Sequence, residues 1–229
     1  MSASAPVLVA CAHGTRSAAG QAVVRSIVEG VRSLAPELDV REAFVDIEEP
    51  EVGAAVADAV AGGRAAVVVP LLLSTGFHVR HDIAAAVMGH DAVSGDPMGP
   101  DERLVDILAE RLAEAGAAPQ DAVVLAAAGS SDPLALEAVA QVAAGLQARR
   151  PGPVTVGYGA AATPTIAEAV EAARGAGAAR VVVASYLLAP GHFHATVERA
   201  GGDVVTTPLG PHPLLAEIAL DRYREATAG

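Results

Sequence analysis

The sequence predicts an α/β protein made of two similar (βα)₄ lobes, each with a four-stranded parallel sheet. Short, continuous apolar runs alternate with longer segments of helical periodicity along the 229 residues. This alternation is typical of buried parallel strands joined by helices. The pattern also restarts half-way, because Gly14 and Gly76 are matched by Gly129 and Gly191, each at a separation of 115 residues. The sequence therefore indicates an internal duplication.

The first half contains four apolar runs of strand length, with helical segments between them. The longest helical segment, residues 18–34, places Val23, Ile27 and Val31 at the spacing of one helix face. Charged or proline-containing turns separate the elements and mark where helices begin. We predict strands at residues 7–11, 40–45, 65–73 and 92–94, and helices at 18–34, 51–61, 82–88 and 101–115.

The second half repeats this order of elements, with Pro164 at 114 residues from Pro50. We place the boundary between the repeats near residues 117–120, and expect one lobe at residues 1–118 and a degenerate copy at 119–229. We predict neither a helix nor a strand at residues 189–203. The predicted strands are 122–127, 154–158, 180–188 and 204–206, and the predicted helices are 133–148, 163–173 and 212–226.

Composition excludes several classes of function. The net charge of −12 argues against a general nucleic-acid surface and against binding to anionic membranes. All basic residues are arginines, so P-loop and Schiff-base chemistry, which need lysine, are excluded. The single cysteine, Cys11, cannot form an intrachain disulfide, and its place in an apolar run predicts a core residue. With no signal-peptide pattern and no apolar run near 18 residues, we expect a soluble, cytoplasmic protein.

Polar residues of catalytic type follow two of the predicted strands. His13 comes directly after the first strand, and His78 follows the third strand together with Arg80, His81 and Asp82. In open parallel sheets, ligands bind outside the carboxyl ends of the strands. The two histidines are therefore candidates for one active site.

The second repeat supports a single site in the N-terminal lobe. His13 and His78 align with Ala128 and Phe193, so the copy has neither histidine. Neutral imidazole is a common transition-metal ligand and also accepts protons near neutral pH. A carboxylate for the same site is offered by Asp46, which follows the second strand. Alternatively, the acids of residues 46–49 solvate a loop and favour a helix N-terminus.

These residues resemble the class II tetrapyrrole chelatases, and among them the sirohydrochlorin chelatases of two-lobed form. The resemblance rests on His-Gly-Thr-Arg after the first strand, Phe-Val-Asp at the end of the second, and Gly76, His78 and Asp82 in Pro-Leu-Leu-Leu-Ser-Thr-Gly-Phe-His-Val-Arg-His-Asp. It covers nearly the whole chain. It implies insertion of Fe²⁺ or Co²⁺ into sirohydrochlorin for sirohaem or cobalamin, with His13 and His78 handling the metal. Asp46 stands near the place of the acid that the family commonly has.

A substrate rich in carboxylates implies basic partners around the metal, in a cleft that we expect between the lobes. Arg16, Arg80 and His81 are the candidates in the N-terminal lobe. His192, with His194 close by, is the candidate in the C-terminal lobe. The alternative is that each of these is an ordinary solvated or ion-paired residue, and that His192 and His194 form only a polar turn.

Two other functions are alternatives. A non-catalytic metal-binding or metal-delivery protein would use the same two histidines but would need no tetrapyrrole site. A histidine phosphatase would need arginine where Ala12 stands, before the His-Gly turn. Under the chelatase interpretation we expect no tightly bound cofactor, a divalent metal as substrate, no nucleic-acid or membrane partner, and a monomer. Ligand type alone does not decide between Fe²⁺, Co²⁺ and Ni²⁺.

Overall fold

A computed structural model of the chain describes residues 5–74 and 76–228, with residues 77–79 described by their backbone only. The described residues form two four-stranded parallel sheets, as the alternating pattern predicts. The first sheet has the strand order β2-β1-β3-β4. In chain order, the elements of the first repeat are β1 (Val7–Ala12), α1 (Ala18–Leu34), β2 (Val40–Phe44), α2 (Val52–Val60), β3 (Ala66–Pro70), α3 (Phe77–Val87), β4 (Ala92–Ser94) and α4 (Glu102–Glu114).

The second sheet repeats this topology with the order β6-β5-β7-β8. Its outer strand β8 is the shortest, with two residues. In chain order, the elements of the second repeat are β5 (Ala122–Ala127), α5 (Pro133–Ala148), β6 (Val154–Tyr158), α6 (Ile166–Gly175), β7 (Val181–Tyr186), α7 (His192–Glu198), β8 (Val204–Val205) and α8 (Pro213–Ala228).

The central strands are buried because helices cover both of their faces. Every residue of β1, β3, β5 and β7 is buried, which explains why these strands are continuous apolar runs rather than alternating ones. Helix α1 shows the complementary pattern, with Val23, Ile27 and Val31 buried on one face and Ser17 as its N-cap. Burial of such apolar side chains is the main source of stability in a core of this kind.

The strand register brings two candidate segments to the same sheet edge. Cys11 of β1 pairs with Pro70 of β3, and the Leu71 N–H donates to the Cys11 carbonyl oxygen at 2.8 Å. His13 and the segment that leads to α3 therefore leave the sheet side by side. This is the carboxyl edge at which parallel sheets bind ligands.

The matched glycines occupy equivalent places in the two repeats, and the first pair also shares its backbone conformation. Gly14 and Gly129 have φ angles of +96° and +92°. Gly76 and Gly191 both precede a helix, and their carbonyl oxygens accept from Arg80 N–H and Ala195 N–H, each at 3.1 Å. The predicted duplication and the pairing of these glycines are confirmed.

The compact units of the structure differ from the division of the sequence into residues 1–118 and 119–229. One unit comprises residues 1–98 and 211–229, and the other comprises residues 99–210. Helix α4 packs on α5 and β7, and helix α8 packs on α1 and β3. Each repeat thus supplies its last helix to the other repeat's sheet, which the order of elements along the chain does not reveal.

Two helices differ from the prediction. Helix α3 begins at Phe77 rather than at residue 82, so Arg80 and His81 are helical instead of lying in a strand-end turn, and Asp82 lies inside the helix instead of starting it. Helix α7, which contains His192 and His194, was not predicted. None of the helices in the described part of the chain is long and apolar enough to cross a membrane.

Candidate active site

The candidate site is built on the loop that follows β1. His13 is exposed, and its carbonyl oxygen accepts a hydrogen bond from the Asp46 N–H at 3.0 Å. Gly14 lies so close to the loop after β2 that a Cβ atom there would stand 1.8 Å from the Asp46 carbonyl oxygen. Only glycine allows this approach together with a φ of +96°. The predicted residues His13 and Asp46 are therefore brought together through their backbones.

A carboxylate that the sequence analysis did not single out holds this loop in place. Glu48 accepts a hydrogen bond from the Thr15 N–H at 2.8 Å through its Oε1 atom. The Thr15 hydroxyl accepts from the Ser17 N–H at 3.1 Å, and Gln21 donates to the Thr15 carbonyl oxygen at 3.0 Å. The signal was present in the acidic run 46–49, but the sequence does not show which of its carboxylates faces the loop.

Asp46 lies on the surface at the end of β2. Its carboxylate accepts from the N–H of the next residue, Ile47, at 2.7 Å. Ile47 has a φ of +70°, a conformation that a β-branched residue rarely adopts. The Asp46 carboxylate thus stabilises a tight turn beside the His13 backbone. A carboxylate has about four lone-pair positions, so this hydrogen bond leaves capacity for another partner.

The third predicted segment lies at the start of α3. The backbone of His78 is in the first turn of this helix, after the N-cap residue Gly76. The side chain of His78 lies outside the described residues. Arg80, His81 and Asp82 are exposed, and His81 Nδ1 lies 3.8 Å from Asp82 Oδ1.

Arg16 occupies the last position of the His13 loop before the N-cap of α1. It is exposed, and its guanidinium makes no ion pair with the described part of the chain. A solvated arginine at a ligand-binding edge can bind a carboxylate through two parallel N–H donors. The arrangement therefore offers a positive group near His13 in a strongly acidic protein.

Cys11 does not take part in this chemistry. It is fully buried in β1, and burial raises the pKa of its thiol to about 12. The thiolate, which is the nucleophilic form, is therefore absent at neutral pH. The prediction that Cys11 is a core residue is confirmed.

The second unit retains the backbone of this loop without its histidine. The Ala160 N–H donates to the Ala128 carbonyl oxygen at 2.9 Å, which reproduces the bond between Asp46 and His13. Ser130 accepts from the Asp132 N–H at 3.0 Å and takes the place of Thr15. The repeat has therefore kept the groups that shape the turn, while the imidazole of His13 has no counterpart.

The two histidines of the second unit have different environments in α7. His192 is exposed, and its ring lies edge-on to Phe193 with a centroid distance of 5.9 Å. His194 is half-buried, with Nε2 3.4 Å from the Thr206 carbonyl oxygen and Nδ1 3.9 Å from Glu198. The interpretation of both as a strand-end turn was wrong, because seven residues after Gly191 form a helical segment.

No group of three or more His, Cys, Asp or Glu side chains that could hold a metal ion occurs among the described residues. That set does not include the side chain of His78. His13 and Asp46 are the two predicted metal residues that the structure places next to each other, through the hydrogen bond between their backbones.

Comparison with known proteins agrees with the architecture. The chain is 31% identical over 236 residues to the sirohydrochlorin ferrochelatase of Priestia megaterium, covering 93% of this chain and 86% of the relative. It is 31% identical over 108 residues to the sirohydrochlorin cobaltochelatase of Sulfolobus acidocaldarius, covering 45% of this chain and 86% of the relative. The fold matches SirB from Bacillus subtilis with Fe³⁺ at a TM-score of 0.84 and 25% identity, covering 98% of this chain and 96% of SirB.

The fold and the duplicated strand-end loops define a two-lobed class II chelatase. The CbiX family model matches residues 7–115 and 122–226, one segment in each repeat. The chain therefore belongs to the CbiX family of sirohydrochlorin chelatases, as its motifs indicated.

Proposed function

We propose that the protein inserts a divalent metal ion, Fe²⁺ or Co²⁺, into sirohydrochlorin, with His13 and His78 as metal ligands and proton acceptors. The observation that carries the proposal is the match to the CbiX family over both repeats. It is supported by His13, which leaves β1 beside the segment that leads to α3.

Metal insertion requires two events at one place. Two pyrrole N–H protons must leave the macrocycle, and a hydrated cation must exchange water for ring nitrogens. A neutral imidazole can serve both events, because the nitrogen lone pair that binds the ion also accepts a proton. Binding to histidine must be weak enough for the metal to move on, and two histidines meet this need better than a closed four-ligand site.

Asp46 is the proposed third ligand. Its backbone N–H is bonded to the His13 carbonyl oxygen, and its carboxylate is exposed. Carboxylate oxygen and imidazole nitrogen together suit first-row divalent ions. The negative charge also attracts a cation to the site. In the second repeat, Ala160 stands at this position, so that loop has no equivalent carboxylate.

The carboxylates of sirohydrochlorin are the proposed partners of Arg16, Arg80 and His81 in the first unit and of His192 in the second. All four side chains are exposed, so a substrate can reach them without displacing a core contact. Arginine and carboxylate form the stronger, bidentate kind of hydrogen-bonded pair. These residues would orient the substrate, and none of them needs to change its charge during the reaction.

The test is to mix the protein with metal-free sirohydrochlorin and Fe²⁺ or Co²⁺ and to follow the absorption spectrum. We expect conversion to the metal complex well above the rate without protein. The ratio of the rate with Fe²⁺ to the rate with Co²⁺ identifies the preferred metal. That preference also decides whether the product leads to sirohaem or to a cobalt corrinoid. A protein that binds the ion at equilibrium but leaves the insertion rate unchanged is a metal-delivery protein, and that result rejects the proposal.

We also propose that the chain acts as a monomer, because its two repeats provide in one chain the two lobes that single-lobed chains would provide by forming a dimer. The S. acidocaldarius relative aligns with less than half of this chain but with most of its own length. Light scattering at the concentration used in the assay would test this.

A further inference from the structure

Phe193 is an exposed aromatic ring in a protein that buries its other described rings. Its exposed fraction is 42%, whereas the tyrosines and the other phenylalanine with described side chains are at most 8% exposed. Exposure of an aromatic ring forgoes the hydrophobic stabilisation that burial would provide. The buried rings are those of Phe44, Tyr158, Tyr186 and Tyr223.

The position of Phe193 is that of a functional residue in the other repeat. It aligns with His78 at the separation of 115 residues that also relates the matched glycines. It lies in the first turn of α7, after Gly191 and beyond the carboxyl end of β7. This edge of the second sheet is the one at which parallel α/β folds bind ligands.

Two neighbours contact the ring while part of it stays exposed. A Cβ atom added to Gly159, at the end of β6, would lie 3.2 Å from the Cδ1 atom of Phe193, so the ring packs directly on that glycine. The His192 ring contacts it edge-on, with an interplanar angle of 71°. The ring is therefore oriented before any ligand arrives, which reduces the entropy that binding must overcome.

We propose that Phe193 binds the flat face of the tetrapyrrole substrate. This inference rests on the proposed function and adds a binding role for the second repeat. A macrocycle presents a broad π face, and an aromatic ring can pack on such a face. The repeat that lacks a histidine at this position contributes the apolar contact instead.

The experiment measures binding of metal-free sirohydrochlorin and, separately, the kinetics of metal insertion. Phe193→Ala should raise the Kd by about three- to tenfold, the range for loss of one aromatic contact. It should raise KM by a similar factor with kcat nearly unchanged, because the contact is the same in the ground and transition states. Phe193→Tyr retains the ring and should bind within about twofold of the wild type, while Phe193→Leu should lose most of the affinity that Phe193→Ala loses.

Met88→Ala is the matched control, because Met88 is a 75% exposed apolar side chain outside the candidate site. Its Kd should equal that of the wild type, and circular dichroism should show all variants folded. If the wild type does not bind the tetrapyrrole, the proposed function fails and the inference fails with it. If the wild type binds and inserts metal, but Phe193→Ala behaves like Met88→Ala or Phe193→Leu binds like the wild type, the inference alone is overturned.

Discussion

Replacing Gly14 with alanine disturbs the contact on which the His13 loop depends. The φ of +96° alone should cost about 1.5 kcal/mol for a residue with a Cβ atom. The added atom would lie 1.8 Å from the Asp46 carbonyl oxygen, so the two loops must separate. Separation breaks the hydrogen bond from Asp46 N–H to the His13 carbonyl oxygen, which contributes about 1–1.5 kcal/mol. We expect a total loss of about 3 kcal/mol.

Variants at two other glycines separate the cost of the positive φ from the cost of breaking the contact between the loops. Gly63 has a φ of +73°, and a Cβ atom added there would meet nothing within 4 Å, so Gly63→Ala should lose only the conformational part. Gly129 has a φ of +92° and would place its Cβ 1.9 Å from the Ala160 carbonyl oxygen, so Gly129→Ala should match Gly14→Ala. Each kcal/mol lowers Tm by about 2–4 °C in a chain of this length. Thermal unfolding followed by circular dichroism should therefore show a fall of about 3–6 °C for Gly63→Ala and about 6–12 °C for the other two.

The same variants test which repeat carries the chemistry. At a temperature where all are folded, Gly14→Ala should insert metal much more slowly than the wild type, because it displaces His13. Gly129→Ala causes the same damage in the repeat without that histidine and should retain most of the rate. The reasoning is refuted if Gly14→Ala is no less stable than Gly63→Ala. It is also refuted if Gly14→Ala and Gly129→Ala slow insertion equally.

The remaining predictions concern single side chains. His13→Ala and His78→Ala should each abolish most metal insertion with little change in Tm, whereas His192→Ala should mainly raise KM. If His192→Ala is inactive in the spectroscopic assay while the other two variants retain near-normal rates, the site lies in the second repeat. Arg16→Ala should raise KM for sirohydrochlorin more than it lowers kcat, and an unchanged KM would remove this arginine from the substrate-binding residues. Cys11, whose pKa burial raises to about 12, stays protonated at pH 8, so a thiol reagent should modify it only after unfolding in urea. Fast modification of the native protein would show that β1 is more accessible than its burial indicates.

Most of the fold could be predicted because its elements follow from local patterns. The central strands β1, β3, β5 and β7 are buried on both faces, so they appear as uninterrupted apolar runs. Helix α1 was predicted with the observed bounds because its buried residues recur at helical spacing. The matched glycines could be predicted as a repeat because positive φ and close backbone approach leave no alternative residue at Gly14 and Gly129. The strand-end position of His13 follows from the same reasoning.

Helix α3 was predicted to begin too late and α7 was not predicted, because their sequences lack a periodic apolar face. In α7, Val197 is the one residue in the helix that is buried, so nothing in the pattern distinguishes it from a polar turn. Tertiary packing beside the sheet edge stabilises such short helices, since isolated helices of this length are not stable in water. The histidines and arginines near Gly76 and Gly191 thus came to lie on helices rather than in turns.

The class of the fold, the duplication and the residues at the ends of the strands can be predicted from local patterns, because each depends on neighbours along the chain. The sheet that each terminal helix covers is known only from the three-dimensional packing. Helices α4 and α8 each bury an apolar face, and the structure places α4 on β7 and α8 on β3. It also decided that Glu48 holds the His13 loop through Thr15. Both outcomes depend on contacts between segments far apart in sequence, and no local pattern encodes such contacts.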